Sequence, residues 1–555
     1  MLRITEIKLP LISSAETGHT EAEIRAALVR KLAINAADIV SFTIFKRGID
    51  ARKSNNILFV YSLDVLVNGE AKLSAKHAKD PHIKPTPDTE YKFVANNSNT
   101  NKLRPVVVGF GPAGIFAALI LAQAGFKPIV LERGKAVRER TKDTFNLWRK
   151  SVLNPESNVQ FGEGGAGTFS DGKLWSQIKD PKHYGRKVLQ EFVAAGAPPE
   201  ILYVSHPHIG TFRLVGMVEA MRKSIESLGG EIRFECRVDD IEIGVDSEGQ
   251  NKVQAVILKS GERIATNHLV LAVGHSARDT FEMIHKKNIY IEAKPFSIGF
   301  RIEHPQSLID KARYGNSYSE NTVSKLGSAE YKLVHHASNG RSVYSFCMCP
   351  GGTVVASASE AGCVVTNGMS QYSRCERNAN AGIVVGITPE VDYPDNPLAG
   401  MYLQRDLEAS AYALGGSTYA APGQLIGDFL ANKTSTKFGE VQPSYTPGVH
   451  LTNLDSALPE FAITAIREAI PEFAKQVKGY DLHDGLLTGV ETRTSSPIRI
   501  KRDDETLESI NTKGLYPCGE GAGYAGGILS AGVDGIRVAE MVSLSLNLVW
   551  SRNKN

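Results

Sequence analysis

One segment constrains this 555-residue chain more than any other: PVVVGFGPAGIFAALILAQAGFKPIVLERG, starting at Pro105. Val106 to Val108 read as an apolar strand, and Gly109-Phe-Gly111-Pro112-Ala113-Gly114 as a turn that opens an apolar helix. Gly109 permits the tight turn. Gly111 lets backbone approach a diphosphate, and Gly114 lets helix and strand pack closely, with the positive helix end toward the phosphates. Glu132 closes the next strand, 23 residues after Gly109, where an acid takes a ribose hydroxyl; Arg133 follows it. An ordinary strand–turn–helix unit would leave three glycines and a terminal acid to coincidence. The segment reads as a dinucleotide site, and the acid favours a free 2′-hydroxyl over a 2′-phosphate.

The same segment imitates a membrane span, because Val106 to Phe126 holds no charge and is 21 residues long. Three glycines and Pro112 break it, so strand, turn and buried helix is the better reading. The N-terminus carries Glu6 and Lys8 inside its apolar stretch and lacks the core of a signal peptide. Six cysteines are too few for a disulfide scaffold. A cytoplasmic protein without a membrane span is expected. With 63 basic and 60 acidic residues, the net charge of +3 gives no global pull toward nucleic acid or acidic lipid.

Two further segments separate FAD from NAD. Leu269 to Gly274 is a strand ending in small residues, including Ala272, of the kind that lies under an adenylate; Val238 belongs to the strand-rich run before it. Gly514 to Gly523 reads as a strand entering a glycine turn with Gly519 and Glu520, and a helix follows Gly526-Gly527-Ile528. This resembles the second FAD fingerprint of flavoproteins with two dinucleotide-binding units, where Asp is usual in place of Glu520. Ahead of both, after Glu132, Phe161 to Lys173 holds four glycines in a run of six residues, with Gly164, Gly165, Thr168 and Ser170 offering backbone amides and small donors. A flexible loop is the plainer reading of that run, but its placement shortly after the ribose acid argues instead for a loop that cradles the flavin or the diphosphate.

These segments, with HPHIGT (206–211), FCMCPGG (346–352), GVETRTSSPIRI (489–500) and GEGAGYAGGILSAGVDGIRVAE (519–540), resemble a bacterial family of FAD-dependent dehydrogenases over nearly the whole chain. The flavin half is more distantly similar to fumarate-reductase-type and glutathione-reductase-type flavoproteins. The resemblance implies FAD and an oxidoreductase, and names no substrate; the leading expectation is hydride transfer through the flavin N5 to or from a small organic molecule. The expected fold is α/β: a Rossmann-like FAD-binding domain, split as 96–275 and 486–555, an inserted substrate or cap domain at 276–485, and a small α+β domain at 1–95. In that last domain Thr20 and Glu23 form a capping box, and Ile24, Leu28 and Leu32 share a helical face. Asp80–Asp88 and Asn96–Asn101 read as a linker.

No second Gly-x-Gly-x-x-Gly follows a strand, and no Cys-x4-Cys follows the first helix, which argues against a glutathione-reductase mechanism. NAD(P)H stays open as electron donor. No residue stands out as catalytic. Cys347-Met-Cys349 is a thiol pair or two small buried residues. His206 and His208 are proton donors or structural histidines. Lys173 and Arg493 are anion-binding groups or ion-pair partners. Cys363, Cys375, His335 and His336 match no zinc spacing, so no metal is expected. Lys46, Arg47, Arg52 and Lys53, near Phe42 and Phe45, are more often a solvated face than a nucleic-acid site. The alternative to a small-molecule oxidoreductase is a flavin-dependent RNA-modifying or RNA-binding factor, with residues 1–95 as the contact for RNA or for a protein partner.

Overall fold

The structure, a computed structural model, describes residues 1–11, 18–53, 56–97, 103–394 and 396–552. It is a mixed α/β fold with several sheets. The first sheet is antiparallel, in the order Ile39–Asp50, Leu58–Val67, Leu2–Pro10, Ile83–Pro85. The helix Glu21–Leu32 starts at the expected capping box: the Glu23 amide donates to Thr20 Oγ1 at 3.3 Å, and the Thr20 amide donates to Glu23 Oε2 at 2.7 Å. It sets Ile24, Leu28 and Leu32 into one core with Leu63 and Val65.

The linker reading of Asp80–Asp88 is corrected here. Ile83–Pro85 pairs with Leu2–Ile4 and forms the fourth strand. Pro85 sits in an edge strand, where a missing amide donor costs no ladder bond, so the prolines that suggested a linker are compatible with the sheet. Most of Asn96–Asn101 lies outside the described residues.

The second sheet is parallel throughout, in the order Leu515–Pro517, Leu269–Leu271, Val106–Val108, Ile129–Leu131, Glu231–Arg233. The uncharged run is the strand Val106–Val108, a turn and the helix Pro112–Gln123, and every helix residue from Ala113 to Ala122 is buried, which is why the helix carries no polar face. The helix Ile528–Arg552 crosses it so closely that a Cβ on Gly535 would meet Ala113 O at 2.3 Å. Among the described residues, no helix is long and apolar enough to cross a membrane.

The largest sheet has seven strands, in the order Val334–His336, Ser342–Cys349, Asn378–Ile387, Phe296–Pro305, Leu486–Glu491, Ala421–Leu425, Val449–Leu451. The strand Leu486–Glu491 carries it past residue 485, the end expected for the inserted region. Phe296–Pro305 and Asn378–Ile387 are buried along almost their whole length. A strand covered on both faces loses the alternation that reveals strands, which is why this stretch reads as featureless in the sequence.

Candidate functional site

A cavity of about 770 Å³ opens at the carboxyl ends of the parallel strands. At four of the five strands a small or acidic residue at or just past the strand end lines it: Gly109, Glu132, Ala272 and Glu520. Ligands of open parallel sheets bind at this end.

Gly109 has φ +96°, and a Cβ on it would meet Ala272 O at 2.3 Å. Gly111 and Gly165 touch backbone to backbone, so that a Cβ on Gly165 would reach Gly111 Cα at 2.9 Å. The run Phe161–Lys173 therefore closes over the first turn, and the Gly164 amide donates to Phe110 O at 2.8 Å. Pro112, Ala113, Arg133, Ser170 and Val238 also line the cavity. Gly114, Gly164, Thr168 and Gly519 stand behind the lining. A Cβ on Gly114 would run into Gly109 O, one on Gly164 into Thr168 Oγ1, and one on Gly519 into Ala113 Cβ.

Glu132 is buried and tied into the backbone around it. Its Oε1 accepts from the Gly134 and Gly162 amides, each at 2.9 Å, and its Oε2 from the Phe110 amide at 2.8 Å. Each carboxylate oxygen accepts two bonds, so among the described contacts Oε2 keeps one position for a ribose hydroxyl. Arg133 is spent on Glu156 at 3.0 Å and Asp279 at 2.9 Å. Gly274, Gly526 and Gly527 line the cavity, and a Cβ on any of them would meet nothing within 4 Å; Ile528 follows on the same wall. A helix N-terminus at Pro112, an acid with an open acceptor and bare glycine backbone around one cavity fit the diphosphate and ribose of FAD.

Glu520 is raised to about 7 by burial, which the Lys294 ammonium only partly offsets. His275, which the sequence did not single out, lies beside it on the lining, with Nε2 4.0 Å from Glu520 Oε1. Burial, with Arg493 and Arg278 nearby, lowers its pKa to about 3. Nothing in the sequence marks this histidine: Arg493 and Glu520 reach it from more than two hundred positions away.

The facing wall comes from the large sheet. Arg493 lines the cavity but is engaged: Nε and Nη2 donate to Glu408 at 2.9 and 2.7 Å, and Nη1 donates to Ser359 Oγ at 2.7 Å. Lys173 also lines it, and its ammonium donates to Met348 O. Of the two cysteines, Cys347 is on the lining and Cys349 is fully buried behind it. His208 is off the lining, stacked on Tyr372, its ring nitrogen 3.0 Å from Tyr372 O and its pKa lowered by burial. His206 takes the mouth instead, stacked on Trp175 and 2.6 Å from Glu330 Oε1. Glu360, Cys363 and Glu408 bring ligand atoms within 4.8 Å of one another. The Arg278 guanidinium pairs with both carboxylates, so their charge is already answered by protein.

Residues 295–494 match the family model described as FAD-dependent protein, C-terminal domain-like, and residues 1–66 match a domain of unknown function. Among solved structures the chain is similar to an L-amino acid deaminase from Proteus vulgaris (10% identity, 81% of this chain and 96% of that one, TM-score 0.35). It is also similar to a point mutant of FrdA from E. coli quinol fumarate reductase (14%, 80% and 70%, 0.33). At those scores neither likeness carries an inference. An uncharacterised protein of Clostridium beijerinckii is 48% identical over 517 residues, 93% of this chain and 94% of the relative. Matched over almost its full length, the chain belongs to the same family as the C. beijerinckii protein, and its residues 295–494 match the FAD-dependent C-terminal domain model.

Proposed function

We propose that the protein is an FAD-dependent oxidoreductase of a small organic molecule, with a Rossmann-like cofactor domain and the seven-stranded region as the substrate side. The observation that carries this reading is the cavity of about 770 Å³, onto which both glycine turns, the ribose acid and the sheet wall at 344–348 converge. Glu132 Oε2 would hold the ribose. The amides at the start of the helix Pro112–Gln123 would hold the diphosphate, and the bare backbone at Gly274, Gly526 and Gly527 would lie against the rest. FAD, when bound, supplies two-electron chemistry, a hydride gained or lost at the flavin N5. The protein's own part is to orient and to exclude water. Trp175, His206 and Lys332 at the mouth would meet the substrate, and Arg493, pinned by Glu408, would fix the inner wall.

Residues 1–95 would be a separate unit available to a protein partner. Against a nucleic-acid role for them, Arg47 lies 5.3 Å from the Tyr203 ring and Arg52 pairs with Asp50, so two of the four basic residues are engaged within the chain.

The test is anaerobic mixing of purified protein with NADH and with NADPH, following flavin absorbance. Rapid bleaching by one nucleotide is expected of a reductase with that donor. Bleaching by neither would move the donor to the organic substrate or a partner protein. A protein that neither retains nor takes up FAD overturns the proposal.

A further inference from the structure

Cys347 and Cys349 lie where the ladder of the large sheet is interrupted. Phe346 pairs with Gly382 and Cys349 with Asn380, so three steps on one strand cover two on its partner, a β-bulge. Cys347 takes the left-handed conformation, φ +42°, which a non-glycine residue adopts at a cost and which concentrates at functional positions. The bulge puts Cys347 on the cavity lining and leaves Cys349 buried beside it. Cys349 Sγ donates to Cys347 O at 3.3 Å, which folds the two cysteines against each other across the bulge.

Two cations converge on this bulge from outside the strand. Lys173, itself on the cavity lining, donates its ammonium to Met348 O, the carbonyl between the two thiols. Arg301, fully buried, donates Nη1 to Cys347 O at 3.0 Å. Hydrogen bonding from Cys349 and these two charges hold Cys347 well below the usual thiol range despite its burial, while the same pairing and burial push Cys349 up. A thiol held low beside one held high is the asymmetry that suits disulfide chemistry, in which a thiolate and a thiol close by loss of two electrons and one proton.

We propose that Cys347 and Cys349 are a redox pair serving the flavin, closing to a disulfide across the bulge as oxidised FAD takes their electrons. This rests on the FAD reading above. In the step, the Cys347 thiolate and the Cys349 thiol form the S–S bond. Two electrons and the Cys349 proton pass to oxidised flavin, giving the anionic reduced form. Run backward, reduced flavin opens the disulfide. Two-residue spacing on a strand makes this pair unlike the Cys-x4-Cys whose absence the sequence shows, so the glutathione-reductase pattern does not supply it.

The experiment uses full-length protein reduced with a dithiol and freed of it under argon, then held in air as FAD holoprotein or as flavin-stripped apoprotein. Both are then denatured, alkylated with iodoacetamide and digested. Mass spectrometry reads the peptide bearing both cysteines. The expected result is a peptide closed to alkylation in the holoprotein and doubly alkylated in the apoprotein. Dioxygen re-oxidises the flavin between rounds. Cys349→Ser should retain flavin and show a long-wavelength thiolate–flavin absorbance that Cys347→Ser lacks. Cys363→Ser should close like the wild type. A yellow holoprotein whose peptide stays doubly alkylated, or closure at equal rates with and without flavin, overturns the redox pair and leaves the FAD reading standing. A colourless chain that takes up no FAD overturns both, and is told apart by colour alone.

Discussion

Glu408 and Arg493 meet in a two-pronged ion pair inside the protein, Nε to Oε1 at 2.9 Å and Nη2 to Oε2 at 2.7 Å. The same carboxylate takes Arg278 Nη2 at 2.8 Å and the Thr492 hydroxyl at 2.8 Å. Glu408 sits on the helix Ala399–Leu414, Arg493 just after the last long strand, and Arg278 at the start of the helix Arg278–Lys286. Three distant segments are thereby fixed to one another at the edge of the cavity. Burial alone would raise the Glu408 carboxyl, but the two guanidinium groups outweigh it and bring it to about 2.

The first prediction follows from that network. Glu408→Gln keeps the shape but leaves the buried Arg493 guanidinium without its counter-charge and Arg278 with Glu360 alone. Breaking such a pair costs about 3–5 kcal/mol. Urea unfolding of the variant should show a midpoint far below that of the wild type with the slope unchanged. A midpoint within error of the wild type would mean that water reaches the network.

The glycines separate fold from binding. Gly109→Ala forces a Cβ into Ala272 O at φ +96°, so the variant should lose stability, by about 1–3 kcal/mol from the backbone conformation alone. Gly526→Ala puts its Cβ into open cavity, where nothing lies within 4 Å. It should fold with an unchanged melting temperature as apoprotein and purify with less flavin. Equal flavin content in Gly526→Ala and wild type would place the cofactor away from this turn.

Those glycines were legible because their signal is local: turn, strand and helix stand within a few residues of each other, and Gly109 to Glu132 encodes its own geometry. The facing wall was not. Arg301 meets Glu491 from 190 positions away, and His275 meets Glu520 from 245, so no window of sequence holds both partners. The cysteines show a third case. Strand periodicity treats positions 347 and 349 alike, and only the bulge decides that Cys347 faces the cavity. The edge strand Ile83–Pro85 was hidden for the opposite reason, since prolines that mark a linker elsewhere are tolerated at an edge.

Glu520 and His275 predict how the flavin-free protein responds to pH. Glu520 is raised from 4.5 to about 7, so the folded state holds a proton that the unfolded chain has released, and stability falls as pH rises from 4.5 through 7. Glu520→Gln should therefore melt higher than the wild type at pH 8 and close to it at pH 4.5. His275 works from the other side. Lowered from 6.5 to about 3, it stays neutral in the fold while the unfolded chain binds a proton, so stability is lost as pH falls below 6.5. Melting temperatures of wild type, Glu520→Gln and His275→Gln across that range check both signs. A pH profile that neither variant alters would rule out these two groups as its source.

Glu132 ties structure to cofactor choice. Its carboxylate satisfies three buried amides, those of Phe110, Gly134 and Gly162, and they come from the first glycine turn, the end of its own strand and the Gly-rich run. Glu132→Ala leaves all three without an acceptor. At about 1–3 kcal/mol for each unsatisfied buried group, the turn should collapse or the chain unfold. Glu132→Gln is the more informative change. Its amide oxygen can replace one carboxylate oxygen, but its NH2 confronts the donors on the other. The protein should fold with a lowered melting temperature and lose most of its affinity for FAD. Isothermal titration of the apoprotein with FAD and with riboflavin 5′-phosphate, which lacks the adenosine ribose, separates the two effects. A Gln variant that loses affinity for both equally would show that Glu132 acts only by shaping the turn. A loss confined to FAD would place the ribose on Glu132.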